Sequence, residues 1–260
     1  MEVVIVADEE AAAHVSAGIV ERLLTAKPAA VIGVATGSSP ILTYRRLVEA
    51  FDAARISFAD AHVVLLDEYV GLATDHPQRY RRFVDEHLVD RVDVPASHVH
   101  APDVDAEDLA GAGPRYETLL VELGGVDLQL LGIGTDGHVG FNEPGSSLRS
   151  RTRIKTLTSA TRDDNARFFE HPDEVPHHVM TQGLATIGDA RHLVLIACGA
   201  AKAAPVAAAV EGPLTTSCPA SILQWHPHVT VVIDESAASG LAHSAYYRET
   251  HAGKPAWQQY

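Results

Sequence analysis

The stretch VDLQLLGIGTDGHVG, residues 126–140, contains in one place the pattern that decides the fold. Its first half is a short and nearly continuous apolar run, as expected of a strand in a parallel sheet that is covered on both faces. Its second half is rich in glycine and ends that run. Similar apolar runs recur at residues 3–6, 31–35, 62–66, 192–197 and 229–233. The sequence therefore predicts a sheet of mostly parallel strands, with a strand at 126–133.

Amphipathic segments separate the apolar runs and predict helices up to about residue 26 and at 40–51, 77–88 and 105–123. Alternating strands and helices indicate an α/β fold, a doubly wound, mostly parallel sheet with helices on both faces, Rossmann-like in architecture. We predict a single domain over residues 1–260. Residues 156–180 break the alternation and predict a helix–loop lid, with a plain connection between two parts of the sheet as the alternative.

Composition narrows the class of protein. The chain has 260 residues, 46% hydrophobic and 21% charged, with a net charge of −14 and no window rich in Lys and Arg. Binding of nucleic acid is therefore not expected, although a small phosphate can still bind through local N–H groups and a few cations. Two cysteines, a non-basic N-terminus and no apolar run of about 18 residues predict a cytoplasmic protein with no membrane segment.

In a doubly wound sheet, ligands bind beyond the carboxyl ends of the strands, so the residues that follow each apolar run are the candidates for chemistry. The second run is followed by GVATGSSP, residues 33–40. Its glycines allow a tight turn, its hydroxyls can donate hydrogen bonds, and its proline suits the first turn of a helix. This predicts a phosphate site at a helix N-terminus, with a plain turn and a serine N-cap as the alternative. The candidate ligands are Thr36, Gly37, Ser38 and Ser39.

The third run is followed by two adjacent carboxylates in LLDEYVGL, residues 65–72. Neighbouring side chains at the end of a strand point to opposite faces, so at most one of the two is expected in a site. We take Asp67, at the expected rim of the sheet, as the candidate base. The alternative is that Asp67 only caps the segment that follows it.

The glycines at 132, 134 and 137 have the spacing of a dinucleotide-binding fingerprint. We reject that interpretation, because NEPG at 142–145 interrupts the helix that the fingerprint requires. The same segment places Asp136, His138 and Glu143 within eight residues. A histidine flanked by carboxylates can shuttle protons near neutral pH. A metal site is the less favoured alternative, since no second histidine is near, and no metal is predicted.

Together, GVATGSSP, LLDEYVGL and LLGIGTDGHVGFNEPGSSLRSRTRIKTLT resemble the glucosamine-6-phosphate isomerase/6-phosphogluconolactonase superfamily, and within it the glucosamine-6-phosphate deaminases. The resemblance implies conversion of a small sugar phosphate, glucosamine 6-phosphate, and water to fructose 6-phosphate and ammonia, without a metal or organic cofactor. It implies that Asp67 moves the proton between C2 and C1. It also implies that His138 opens the sugar ring, with Asp136 and Glu143 orienting it.

The resemblance extends to phosphate binding, the lid and regulation. Its phosphate ligands match Thr36, Gly37, Ser38, Arg167 and Lys202, and Arg167 would meet Lys202 only if the lid at 156–180 closes. Family members that N-acetylglucosamine 6-phosphate activates use the stretch SSLxSRTRIK and the chain termini between subunits of a hexamer. The matching positions are Ser147, Arg153 and Lys155, which makes them a candidate allosteric set and the chain a candidate homo-oligomer. The terminal sequences MEVVIVADEE and KPAWQQY depart from the family's pattern.

Two other functions compete with this one. A 6-phosphogluconolactonase has a similar fold and glycine-rich loop but is not expected to carry both DEYVGL and FNEPGSSL. A sugar-phosphate sensor without turnover is a rival from another class. A base at Asp67 and a proton shuttle at His138 argue against a sensor, because a binding protein needs neither.

Overall fold

A computed structural model of the chain describes residues 1–255 and 258. Most of the C-terminal sequence KPAWQQY therefore lies outside the described residues, as does the end of the single domain predicted for residues 1–260. Within the described residues, no helix is both long and apolar enough to cross a bilayer.

The strands form two sheets. They are β1 Glu2–Val6, β2 Val31–Val34, β3 His62–Leu65, β4 Asp67–Val70, β5 Val99–His100, β6 Leu128–Leu131, β7 Arg153–Thr156, β8 His178–Thr181, β9 Leu193–Ala197 and β10 Val229–Asp234. The central sheet has seven strands in the order β1-β10-β9-β6-β2-β3-β5, and every neighbouring pair is parallel. The second sheet is antiparallel, in the order β4-β8-β7.

Helices lie between and after the strands in the described part of the chain. They are α1 Glu9–Ala26, α2 Ile41–Asp52, α3 Tyr80–His87, α4 Leu109–Glu122, α5 Ser159–Asn165, α6 Leu184–Gly188, α7 Ala203–Val210, α8 Glu235–Ala238 and α9 Ser244–Ala252. Short 3-10 turns lie at Val89–Arg91, Ala96–His98, Ala166–Phe168, Pro172–Glu174, Ala200–Lys202 and Pro219–Trp225.

The core lies on both faces of the central sheet, because successive strand residues point to opposite sides. On β3, Val63 and Leu65 pack in one apolar cluster with residues of α1 and α2. Val64, between them, packs in a second cluster with Tyr116 and Leu120 of α4. This arrangement confirms the predicted doubly wound, mostly parallel α/β fold.

Several predicted element boundaries were wrong by a few residues. The helix predicted at 105–123 begins at Leu109, because the Asp108 carboxylate accepts the N–H of Gly111 at 3.0 Å and caps the helix there. The strand predicted at 126–133 extends only over Leu128–Leu131. Its last two predicted residues leave the ladder, and the carbonyl of Ile133 instead accepts a hydrogen bond from Lys202.

The second sheet was not predicted, and it corrects the bounds of the predicted lid. Thr156 ends β7 and residues 178–180 lie in β8, so the excursion between the strands covers residues 157–177. These strands pair with β4, which begins at Asp67. Asp67 therefore lies two residues past the end of β3, where the sequence places it, and also begins a strand of the second sheet, which the sequence does not predict. That the excursion moves as a lid stays a prediction.

Candidate active site

The loops after β2, β6 and β9 meet at the carboxyl edge of the central sheet. The Lys202 Nζ donates to the carbonyl of Ile133 at 2.7 Å, so the cation lies at the end of β6. The hydroxyl of Ser39 lies against the same end, 3.7 Å from where a Cβ on Gly132 would be. The edge therefore combines a cation with the hydroxyls of Thr36, Ser38 and Ser39 at the start of α2, a set of groups suited to a phosphate.

Tyr44 of α2 fixes the start of this hydroxyl-bearing loop. Its buried hydroxyl accepts the N–H of Ala35 at 3.0 Å and donates to the carbonyl of the same residue. The end of β2 is thereby tied to the second turn of the helix, and the loop from Thr36 to Ser39 is held between two fixed points. No pattern in the sequence predicts this contact.

His138 folds back onto its own loop. The N–H of Gly134 donates to the His138 carbonyl at 2.9 Å, and the imidazole packs so closely on Gly134 that any side chain there would overlap the ring. The requirement for glycine at 134 is therefore explained by the histidine and not by a dinucleotide. Residues 132–152 form no helix, which agrees with rejecting the dinucleotide fingerprint.

Asp136 holds the His138 ring in one orientation. Its Oδ1 lies 2.6 Å from His138 Nδ1 and also accepts the backbone N–H of His138 at 3.1 Å. The hydrogen bond from the imidazole lowers the pKa of Asp136, which keeps this carboxylate ionised. With Nδ1 donating to Asp136, Nε2 is left as the nitrogen that can accept a proton.

Asp67 is buried beneath the same loop. Its Oδ2 lies 3.6 Å from the position that a Cβ on Gly140 would take, so the backbone two residues after His138 covers the carboxylate. Burial first, and the charge of Glu68 second, raise the pKa of Asp67 to about 8. Among the described residues, no hydrogen bond to its carboxylate is found to offset this. Such a carboxyl can both give and take a proton near neutral pH.

The neighbouring Glu68 has a different environment. Its carboxylate accepts the N–H groups of Tyr69, Tyr80 and Arg81 at 2.8 to 3.0 Å and so caps the start of α3. The two adjacent carboxylates therefore differ in function: one is a structural cap, while Asp67 has its proton-binding oxygens available.

Glu143 is close to the excursion at 157–177 and not to His138. Its Oε1 accepts hydrogen bonds from the hydroxyl of Thr158, the N-cap of α5, at 3.0 Å, and from that of Thr161 in the first turn of the helix. Of the two acids expected to orient His138, only Asp136 contacts it in this structure. Thr158 and Thr161 were not singled out from the sequence, since each stands among other polar residues.

The remaining candidates are dispersed. Arg167 is exposed, and its guanidinium lies over the ring of Phe168, 4.8 Å from the centroid, instead of joining Lys202. Arg153 Nη1 donates to Asn142 Oδ1 at 3.0 Å, and Ser147 Oγ accepts from the N–H of Arg149. Lys155 lies on β7, opposite Val179. Within residues 1–255 and 258, no hydrogen bond is found that joins Ser147, Arg153 and Lys155 to one another.

A metal-binding cluster is likewise not found in the described part of the chain, where no group of three or more His, Cys, Asp or Glu side chains has a suitable arrangement. The sequence also has three histidines in one polar stretch, His171, His177 and His178, and they do not form such a group.

Comparison with known proteins identifies relatives along the whole chain. A glucosamine-6-phosphate deaminase of Arthrobacter sp. (strain FB24) is 54% identical over 258 residues, 99% of each chain. One of Mycolicibacterium smegmatis is 54% identical over 259 residues, again 99% of each chain. A solved structure of a monomeric glucosamine-6-phosphate deaminase is 40% identical, with a TM-score of 0.90, covering 92% of this chain and 100% of that one.

More distant structures share the fold alone. The 6-phosphogluconolactonase of Trypanosoma brucei is 20% identical, with a TM-score of 0.73, covering 93% of this chain and 98% of that one. A family model described as glucosamine-6-phosphate isomerases/6-phosphogluconolactonase matches residues 7–232. This match and the identity above 50% along the full length confirm the resemblance seen in the sequence: the chain belongs to the glucosamine-6-phosphate isomerase/6-phosphogluconolactonase family.

Proposed function

We propose that this chain converts glucosamine 6-phosphate and water to fructose 6-phosphate and ammonia. The observation that carries the proposal is the shared loop: His138 with its carboxylate partner, and the backbone that covers Asp67, belong to one segment at the carboxyl edge of the sheet. Two deaminases that are 54% identical along the whole chain support it. An acid–base histidine and a separate carboxyl are the two groups that an aldose-to-ketose conversion of a cyclic sugar needs.

Ring opening is the step we give to His138. The O1 hydroxyl of the pyranose must lose a proton and the ring oxygen O5 must gain one as the C1–O5 bond breaks. His138 Nε2 can take the first proton and return it to O5, because Asp136 holds the opposite nitrogen and stabilises the transient imidazolium. The product is the open-chain aldehyde with its amino group on C2.

Proton transfer between C2 and C1 is the step we give to Asp67. As a carboxylate it removes the C2 proton while O1 takes a proton from the C2 ammonium group, which gives a neutral enolamine. As an acid it then returns the proton to C1, which leaves a protonated imine at C2. Water adds to this imine and ammonia leaves, so that the ketone remains. A carboxyl whose pKa is raised to about 8 is suited to both halves of this transfer.

Phosphate recognition is the part we give to Lys202 and to the loop of Thr36, Gly37, Ser38 and Ser39. The net charge of −14 does not oppose it, because binding depends on the local field of one cation, three hydroxyls and a helix N-terminus. Arg167 would join them only after residues 157–177 move. The same movement would free Glu143 from Thr158 and Thr161, so we propose that closure of this lid completes the site.

The direct test measures ammonia and fructose 6-phosphate together after purified protein is added to glucosamine 6-phosphate. The proposal requires the two products in equal amounts, and a much lower rate with unphosphorylated glucosamine. Hydrolysis of 6-phosphogluconolactone without ammonia release would identify the rival lactonase. Saturable binding of glucosamine 6-phosphate without either product would identify a sensor.

Regulation and assembly are separate proposals. N-acetylglucosamine 6-phosphate added to the same assay tests the candidate allosteric set, since activation that Lys155→Ala removes would support it. The solved relative described as monomeric shows that a homo-oligomer is not required throughout this family. Location in the cytoplasm stays a prediction from the sequence.

Lys202→Ala is expected to raise KM for glucosamine 6-phosphate by roughly ten- to a hundredfold, because the phosphate loses one charge-assisted hydrogen bond. Arg167→Ala is expected to raise KM as well, and to lower kcat where binding energy from the phosphate helps close the lid. Steady-state kinetics at about 150 mM salt separates these local effects from the screened global field.

Arg55→Ala is the matched control for Lys202→Ala. Arg55 is 53% exposed, pairs with Glu21 and precedes β3, so it lies at the amino edge of the sheet, away from the site. It should leave KM unchanged although it removes the same charge. A wild-type KM in both Lys202→Ala and Arg167→Ala would contradict the phosphate assignment.

A further inference from the structure

Thr181, at the end of β8, lies between the two halves of the proposed catalytic machinery. In the antiparallel pair of β4 and β8, it is the residue directly opposite Asp67. It is completely buried, and the stretch HVMTQG that contains it gave no functional signal in the sequence. Its position on the partner strand of Asp67 puts its side chain on the same side of the sheet.

The hydroxyl of Thr181 binds the loop that carries His138. It accepts the N–H of Phe141 at 3.1 Å and donates to the carbonyl of Gln182 at 3.3 Å, so its donor and an acceptor site are both used. The amide it holds is three residues after His138. No other side-chain hydrogen bond to the backbone N–H groups of residues 139–141 is found in the described part of the chain.

Gly140 shows how close this contact brings the loop to the carboxylate. A Cβ at this position would lie 2.9 Å from Thr181 Oγ1 and 3.6 Å from Asp67 Oδ2, and the residue has φ of +55°. The loop backbone therefore lies against Thr181 and Asp67 at once, and a side chain at residue 140 would push the loop away from both.

We infer that Thr181 is a positioning residue, whose hydroxyl holds the His138 loop against the Asp67 carboxylate and so fixes the two proton-transferring groups relative to each other. The inference rests on the proposed function for its kinetic consequences. Its geometric content, that the hydroxyl keeps the loop over Asp67, does not depend on any substrate.

The electrostatic surroundings of Asp67 make this positioning measurable. Glu68, beside it on β4, is the charged group that acts on Asp67. The charge of Asp67 in turn acts on four buried phenols, those of Tyr44, Tyr69, Tyr80 and Tyr116. Burial raises the pKa of each of these phenols, so they stay neutral, and three N–H donors hold Glu68 in place. If the loop over Asp67 loosens, water should reach the carboxyl group while the charged neighbours of Asp67 stay in place. Hydration favours the carboxylate form, so the pKa of Asp67 should fall.

Thr181→Val is expected to lower kcat by roughly ten- to a hundredfold, because it keeps the shape and removes the hydroxyl that holds the loop. KM should stay within about threefold of wild type, since Lys202 and the hydroxyl loop are unchanged. Thr181→Ser keeps the hydroxyl and should restore kcat to within about threefold.

Thr230→Val is the matched control for fold stability. Thr230 is a buried strand threonine whose hydroxyl lies 2.9 Å from His192 Nε2, in the part of β10 far from its carboxyl end. It should lose a similar amount of stability but keep kcat. Gly140→Ala disturbs the same contact from the loop side and should also lower kcat, whereas Gly18→Ala, with open space around it in α1, should not.

A titration without substrate separates this inference from the proposed function. In protein labelled with 13C at the aspartate carboxyl carbon, the Asp67 signal is the one that Asp67→Asn removes. We expect a midpoint near the raised value in wild type and Thr181→Ser, and a midpoint at least about one unit lower in Thr181→Val and Gly140→Ala. If wild type makes no ammonia, the proposed function fails while this titration still decides the role of Thr181.

Two results would overturn the inference. One is a Thr181→Val protein whose Asp67 midpoint and kcat both match wild type. The other is a loss of kcat in Thr181→Val that a control variant shares. An equal loss in Thr181→Ser would show that the hydroxyl is irrelevant, and an equal loss in Thr230→Val would show that its place beside Asp67 is irrelevant. Should Thr181→Val not fold, Gly140→Ala and Thr181→Ser give the same two comparisons.

Discussion

Asp67→Asn is expected to lower kcat for glucosamine 6-phosphate by roughly 10²- to 10⁴-fold, the contribution typical of a positioned acid or base. The amide has the shape of the carboxyl but can neither take the C2 proton nor return it to C1. Binding should persist, with KM within about threefold of wild type, because the phosphate contacts lie on other loops. Steady-state kinetics, with ammonia release as the measured product, gives both quantities.

Asp52→Asn is the matched control, since it removes an exposed carboxylate at the end of α2 and should leave kcat unchanged. A kcat for Asp67→Asn above about a tenth of wild type would remove Asp67 from the role of base.

The same variant tests the raised pKa through stability. Asp67 has a pKa of about 8 when folded, against 3.8 as the ordinary value. Between these two values the folded state keeps a proton that the unfolded chain has released, so the free energy of unfolding falls as the pH rises and levels off above about pH 8. Asp67→Asn lacks this contribution. The advantage of the variant over wild type, measured by chemical denaturation, should therefore grow by up to about 1.4 kcal/mol per pH unit from about pH 5 to pH 8. A constant difference over that range would show that the folded carboxyl titrates normally.

The central sheet could be predicted from the sequence because its strands are buried on both faces and show as continuous apolar runs. The second sheet could not. The burial of β7 alternates between partly buried and exposed residues, so no apolar run marks that strand. β4 begins with two carboxylates, which also interrupt the apolar pattern. The local pattern around Asp67 predicts only the end of a strand, whereas pairing with the distant β8 makes Asp67 the first residue of another strand.

In the candidate site, too, contacts between residues close in sequence could be predicted, whereas contacts between distant segments could not. Asp136 and His138 are two residues apart, so their contact depends on a local turn that glycines already suggest. Two other contacts join segments about 40 residues or more apart in sequence, which no local pattern can show. Gly140 covers Asp67, and Thr181 binds the N–H of Phe141. Glu143 and Arg167 depend on the position of residues 157–177, and a sequence carries no information on which arrangement of a lid a given structure shows.

His138→Gln should separate ring opening from proton transfer. Glutamine retains an N–H that can reach Asp136 but cannot exchange a proton with O1 and O5 at neutral pH. We expect the rate with cyclic glucosamine 6-phosphate to fall by roughly 10²- to 10⁴-fold. A 4,5-dideoxy analogue cannot close a five- or six-membered ring, so it reaches Asp67 without the histidine and should lose far less.

The ratio of the two losses is the decisive quantity, because a general distortion of the loop would lower both rates alike. The structure makes such a distortion a real concern, since the His138 ring packs on Gly134 and the loop continues to the cover of Asp67 at Gly140. His14→Gln, on the exposed side of α1, controls for the substitution itself and should leave both rates unchanged. Equal losses on the cyclic substrate and the open-chain analogue would exclude His138 from ring opening and assign it to holding the loop. A loss confined to the cyclic substrate would instead place the proton shuttle at Nε2, the nitrogen that Asp136 leaves free.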